Sequence, residues 1–177
     1  LHGSDINTPA LTFVRPNLAN YARACMTAGQ EFTQATLGID DFHETRQSGP
    51  DSLQAILLEA RTFSPSYEGE HALYAGQLHS IALPCMNVEE SLAFWQRFGF
   101  IAVEAADNEQ AELHAPGMVC EVSAGTRKLT LRFQPDDYDA SVAALNTTHT
   151  LSMFREGALR GVELTAPEGT RIQLVQA

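Results

Sequence analysis

Three stretches of this chain repeat one layout, and that repetition constrains the fold more than any other feature. LTFVRPNLANYARACMTAG, HSIALPCMNVEESLAFWQRFG and LTLRFQPDDYDASVAALNTT each run a short strand, a proline, a capped helix and a turn. Self-similarity at a spacing of about 50 residues means a fold built from copies of one supersecondary unit. The local chemistry of each copy agrees. Asn87 with Glu90 three residues on, Asp136 with Asp139, and Asn17 ahead of the first stripe are helix-start signals, because a short polar side chain accepts a first-turn backbone N–H. Val88, Leu92 and Trp95, with Phe94 and Phe98 beside them, form an i, i+4, i+7 stripe that needs a sheet to cover it, and Gly99 suits the helix stop. Leu18, Tyr21, Ala22 and Cys25 make the same stripe in the first copy, as Tyr138, Val142 and Leu145 do in the third.

Alternating segments separated by turn signals follow the helices. After the second helix, strands are expected near 100–106, 110–114 and 118–123, with turns at Asp107-Asn108 and Ala115-Pro116-Gly117. After the third they are expected near 151–155, 159–165 and 170–176, with turns at Glu156-Gly157 and Pro167-Glu168-Gly169. Each unit therefore reads β-α-β-β-β, and the fold class is α+β. The first copy is less regular: Phe32 to Ile39 and Leu53 to Ala60 are strand-like, and DDFHETRQSGPD between them reads as a loop. The polar stretch SPSYEGE then separates this copy from the rest. The expected division is a degenerate unit over 1–66, a linker over 67–77, and two regular units over 78–126 and 127–177.

Composition limits the partners. A chain of 177 residues, 44% apolar, can bury one ordinary core or two small ones. No apolar run approaches the roughly 20 residues needed to cross a bilayer, so no membrane partner is expected. The formal charge of −11 argues against a broad phosphate-binding surface, and no basic-aromatic stripe for nucleic acid is present. Cys25, Cys85 and Cys120 are widely spaced in apolar context, which fits reduced thiols and a cytoplasmic location. The chain starts at Leu1 without a basic-then-apolar leader, as a processed chain or a fragment does.

Residues 78–177 resemble the vicinal oxygen chelate superfamily, which includes glyoxalase I, extradiol dioxygenases and bleomycin-resistance proteins. The resemblance rests on LHSIALPCMNVEESLAFWQRFGF at the front and PEGTRIQLVQ at the back, with the aromatic pair Phe94-Trp95, the Gly99-Phe100 step and the Pro167-Glu168-Gly169 hairpin. It implies two βαβββ units forming a curved mixed sheet around a cavity, with helices outside and a divalent metal usually held in the cavity. Residues 8–62 look like one further, degenerate unit. Its unpartnered sheet face implies pairing across a homodimer or with a segment absent from this chain.

Strand parity tests the implied metal site residue by residue. In LHSIALP, Ile81 and Leu83 belong to the helix side, leaving Ser80, Ala82 and Pro84 on the cavity side. Carried onto this sequence, the superfamily's four ligand positions fall on Ser80, Glu121, Thr130 and Gln173. His79 is one residue off and would serve only if a bulge re-aimed it. One carboxylate, two hydroxyls and an amide are a poor donor set for a transition metal, so no metal cofactor is expected. Ala10 and Ile56 leave the first copy emptier still. A Glu121 carboxylate in the cavity needs a partner, and Arg132, on a cavity-facing strand of the other unit, is the candidate.

Other chemistry finds less support. His79 points away from Ser80 on a regular strand, and no Gly-x-Ser-x-Gly elbow appears. Cys120 has core parity, and Cys85 lies at a strand-helix turn without a basic neighbour in sequence. His2, His43, His71, His114 and His149 lack metal-ligand spacing, although His43 sits in the acidic loop DDFHET. The expected function is non-catalytic binding of a small organic molecule by Ser80, Glu121, Thr130, Arg132 and Gln173, a cationic ligand suiting the acidic chain. The rival is a lyase, isomerase or dioxygenase that uses Glu121 as acid or base, or holds a divalent metal with His79 and Glu121. A purely structural role, with the pocket collapsed, is the third reading.

Overall fold

The structure is a computed structural model, and it describes residues 9–59, 75–104 and 109–176. The chain divides into two compact bodies, Leu1–Gly69 and Glu70–Ala177. The boundary itself and the turn expected at Asp107-Asn108 lie outside the described residues.

The N-terminal body holds β1 (Ala10–Arg15), α1 (Leu18–Thr27), β2 (Gln34–Thr36), β3 (Glu44–Ser48) and β4 (Gln54–Glu59) in a four-stranded sheet of order β1-β4-β3-β2. β1 runs parallel to β4, and β4-β3-β2 is an antiparallel meander. The segment expected as one loop, DDFHETRQSGPD, contains strand β3. Its polar residues hid the strand from a pattern reading, yet Thr45 is 1% exposed and Ala55 and Leu57 beside it on β4 are buried. A strand partner on each side decides the conformation there, whatever the local propensity.

α1 also starts differently from expectation. Asn17 adopts a left-handed backbone, φ 54°, and its side chain caps nothing. The Glu59 carboxylate at the end of β4 caps the helix instead, accepting the Leu18 N–H at 2.8 Å while His43 Nδ1 lies 3.1 Å away. Burial pushes this carboxyl up, but the hydrogen bonds from His43 and from the Leu18 and Asn17 N–H groups outweigh it and hold its pKa below the ordinary 4.5. His43 Nε2 also reaches the Gly38 carbonyl at 2.9 Å, tying the 38–43 loop to the helix start. Its role is thus in local structure.

The C-terminal body is two βαβββ units. The first comprises β5 (Gln77–Leu83), α2 (Val88–Gln96), β6 (Ile101–Glu104), β7 (Gln110–Ala115) and β8 (Met118–Ser123). The second comprises β9 (Thr130–Gln134), α3 (Tyr138–Asn146), β10 (Ser152–Glu156), β11 (Leu159–Thr165) and β12 (Arg171–Val175). All eight strands join one mixed, open sheet of order β10-β11-β12-β9-β5-β8-β7-β6. The two units meet at the antiparallel pair β5/β9, and in each the first strand runs parallel to the last. The N-terminal sheet β1-β4-β3-β2 has the same order as β5-β8-β7-β6, so three copies of one unit are present.

α2 follows the sequence reading closely. Asn87 accepts the Glu90 N–H at 3.1 Å, Glu89 and Glu90 sit in the first turn, and Gly99 turns the chain at φ 91°. The helix packs on β6, β7 and β8. Trp95 is fully buried among Phe94, Phe98 and Phe100, with ring centroids 4.9, 6.0 and 5.8 Å away. α3 is capped by Asp137, not Asp136, because Asp137 directly precedes the helix and accepts the Ala140 N–H at 3.0 Å. Its stripe is also more open than expected: Tyr138, Val142 and Leu145 are half-buried.

Candidate functional site

Register places the candidate residues on one face of the eight-stranded sheet. Across β5 and β9, Ser80 faces Arg132 and Ala82 faces Thr130. Ala82 also faces Glu121 of β8, and Gln173 of β12 faces Arg132. Cross-strand partners share a face, so these residues line the side away from α2, while Ile81, Leu83, Cys120 and Val122 are buried on the helix side. A cleft of about 570 Å³ opens on this face, with Glu121, Thr130 and Arg132 among its walls.

β5 reaches this register through a bulge. Leu78 pairs with Phe133 and Ser80 with Arg132, so His79 is the extra residue on the β5 side. The bulge leaves His79 exposed and seats Ser80, 3% exposed, above Glu121. The device that was to bring His79 inward therefore serves Ser80 instead.

The Arg132 guanidinium is the hub. It is 5% exposed and donates to Glu121 Oε2 through Nη1, to Glu156 Oε2 at 2.5 Å through Nη2, and to Gln173 Oε1 at 2.8 Å through Nε. The Ser80 hydroxyl donates to the other oxygen of Glu121. The Gln173 amide nitrogen then donates to Glu163 Oε2 at 2.9 Å and to Glu156 Oε1 at 3.3 Å. Buried charge is tolerated because it is paired and hydrogen-bonded on every side. Arg171 lies farther off, 3.6 Å from Glu156 and 3.9 Å from Glu163. Thr130 is buried on the same face, and among the described residues its hydroxyl reaches only the Lys128 carbonyl, at 3.4 Å.

Residue 173 has a stated reason to be an amide. A glutamate there could still accept from Arg132, but it could not donate to the two carboxylates that converge on its far side. Those carboxylates, Glu156 and Glu163, were missed by the sequence reading. Glu156, expected in a turn, ends β10, and a two-residue Gly157-Ala158 loop, with Gly157 at φ 58°, closes the hairpin. Glu163 was recoverable, since it alternates with Val162 and Leu164 and parity alone places it opposite Gln173.

This arrangement does not suit a divalent metal. Of the positions Ser80, Glu121, Thr130 and Gln173, two already accept hydrogen bonds from one guanidinium, which would repel a second cation at the same place. Among the described residues, no three His, Cys, Asp or Glu side chains are grouped to hold a metal ion. Cys120, next in sequence to Glu121, is no nucleophile, because burial pushes its thiol up to about 12.

Comparison with solved structures gives the class to which this architecture belongs. A variant of homoprotocatechuate 2,3-dioxygenase from Brevibacterium fuscum matches over 96% of this chain and 55% of its own, at 16% identity and TM-score 0.62. The Mn(II)-bound glyoxalase from Novosphingobium aromaticivorans matches over 94% of this chain and 62% of its own, at 13% identity and TM-score 0.63. The 2,2',3-trihydroxybiphenyl 1,2-dioxygenase of Sphingomonas wittichii matches over 94% and 69%, at 16% identity and TM-score 0.53. The fold is that of the vicinal oxygen chelate superfamily. The chain spans about half the length of the homoprotocatechuate dioxygenase it matches. No family model matches this sequence, and no curated protein does.

Proposed function

We propose that the C-terminal body binds a small organic molecule in its cleft without metal chemistry. The observation that supports this most is the Arg132 guanidinium, bonded at once to Glu121, Glu156 and Gln173. An internal cation there does structurally what a bound ion would do, drawing the strand side chains together, while leaving no open coordination position for substrate. A cleft of about 570 Å³ falls within the range of small-molecule sites, which speaks against a collapsed, purely structural role. Metal analysis of protein purified without chelator is the test. No stoichiometric Fe, Mn, Ni or Zn is expected, and one equivalent that disappears in Glu121→Ala would overturn the reading.

One observation keeps a catalytic reading in second place: the Glu121 side chain is 29% exposed and borders the cleft. Its oxygens accept from Ser80 and Arg132, which weakens it as a base. Metal-independent turnover abolished by Glu121→Gln would establish this rival.

A homodimer is proposed on the strand order. Among the described residues, β1 is an edge strand in its own sheet, whereas its counterparts β5 and β9 pair antiparallel with each other. Pairing of β1 with β1 of a second copy would build the same eight-stranded sheet. Sedimentation of a monomer at micromolar concentration would defeat it. The three free cysteines support a reducing, cytoplasmic compartment as the place of action.

A further inference from the structure

We propose that the cleft's ligand is an organic anion, a small carboxylic acid held at the 123–128 side of the cleft by Arg127, Lys128 and Arg171. The inference rests on the proposed binding role of the cleft and assigns it a ligand class. The whole chain carries 11 Lys and Arg against 22 Asp and Glu, which by itself favours a cationic guest. The cleft reverses that ratio: Arg127, Lys128, Arg132 and Arg171 line it, against Glu121 and Glu156. An acidic protein has gathered four of its bases around one hollow.

These charges differ in how far they are already spent. Arg132 is, since each of its three nitrogens donates to an acceptor at the floor. Glu121 and Glu156 both accept from it. Among the described residues, Arg171 has only the long contacts to Glu156 and Glu163, at 3.6 and 3.9 Å. Arg127 and Lys128 are exposed and have no ion pair among the described residues. The surplus at the opening is therefore positive, and a ligand with a carboxylate satisfies it without disturbing the floor. Ala82 and Leu159, on the same lining, offer apolar contact for the body of such an acid.

The full chain is titrated with benzoate and with benzylammonium, a pair of similar shape and opposite charge, while backbone amide shifts are followed. Benzoate is expected to shift Gly125, Thr126, Lys128 and Gly157, to bind more weakly as salt is raised, and to bind about tenfold more weakly in Arg127→Glu/Lys128→Glu. Both substitutions are at exposed side chains, so the fold is kept. Benzoate binding untouched by the double reversal overturns the assignment. Tighter binding of benzylammonium overturns it too, while leaving the binding role standing; absence of binding by either probe removes both. Inorganic phosphate competing at the same amides supports the anion site and extends it to phosphoryl groups, and lack of competition restricts it to carboxylates.

Discussion

Replacing Arg132 by Met is expected to destabilise the C-terminal body by about 3 kcal/mol, because removal of one partner strands the others. Glu121 and Glu156 would lose the cation that bridges them. Their partial exposure, 29% and 44%, lets water compensate some of the loss and keeps the cost toward the lower end of the range for buried pairs. Urea unfolding measures it. Arg132→Lys is expected to recover only part, since one ammonium cannot reproduce three donors arranged in a plane. In a double-mutant cycle, Glu121→Gln is expected to cost much less in the Arg132→Met background than in the native one. Additive effects would show that the contact between Glu121 and Arg132 carries no coupling, and the resident-cation reading would fall with it.

Trp95→Ala is expected to be the most destabilising single change, about 4 kcal/mol, through the cavity it leaves beneath α2. The indole is fully buried and meets Phe94 edge-on at 4.9 Å and Phe100 at 5.8 Å. α2 covers the helix side of β6, β7 and β8, the strands that carry Glu121 and its neighbours. The loss should therefore appear both in chemical denaturation and as weaker protection of β8 amides in hydrogen exchange. Trp95→Phe, which keeps an aromatic body, is expected to cost less than half as much. A loss below about 1 kcal/mol for the alanine variant would mean that the aromatic cluster does not anchor the helix.

The repeat of strand, proline and helix was the most legible part of this protein. Period-2 alternation in β5, β8, β9 and β12 put Ser80, Glu121, Thr130, Arg132 and Gln173 on one face, and the register agrees. Parity works at these positions because the opposite face is filled with Ile81, Leu83, Val122 and Leu174, and a slip by one residue would expose them. β3 escaped notice because ETRQS has no apolar alternation to read. Asn17 looked like a cap, but the proline before it and the carboxylate of Glu59, 41 residues from Leu18, settle the helix start another way.

The sequence by itself determined three copies of one unit, the shared face of Ser80, Glu121, Thr130, Arg132 and Gln173, and the weakness of Ser80, Thr130 and Gln173 as metal ligands. Those follow from spacing and side-chain chemistry, which are local. Only the tertiary structure decided what Glu121 and Gln173 meet on that face, because the Arg132 network closes through Glu121, Glu156 and Gln173, on three other strands. Tertiary structure alone also showed that an acidic chain places four of its 11 bases around one cleft. Net charge is a sum over the molecule, whereas a ligand meets only the few groups that folding brings to one place.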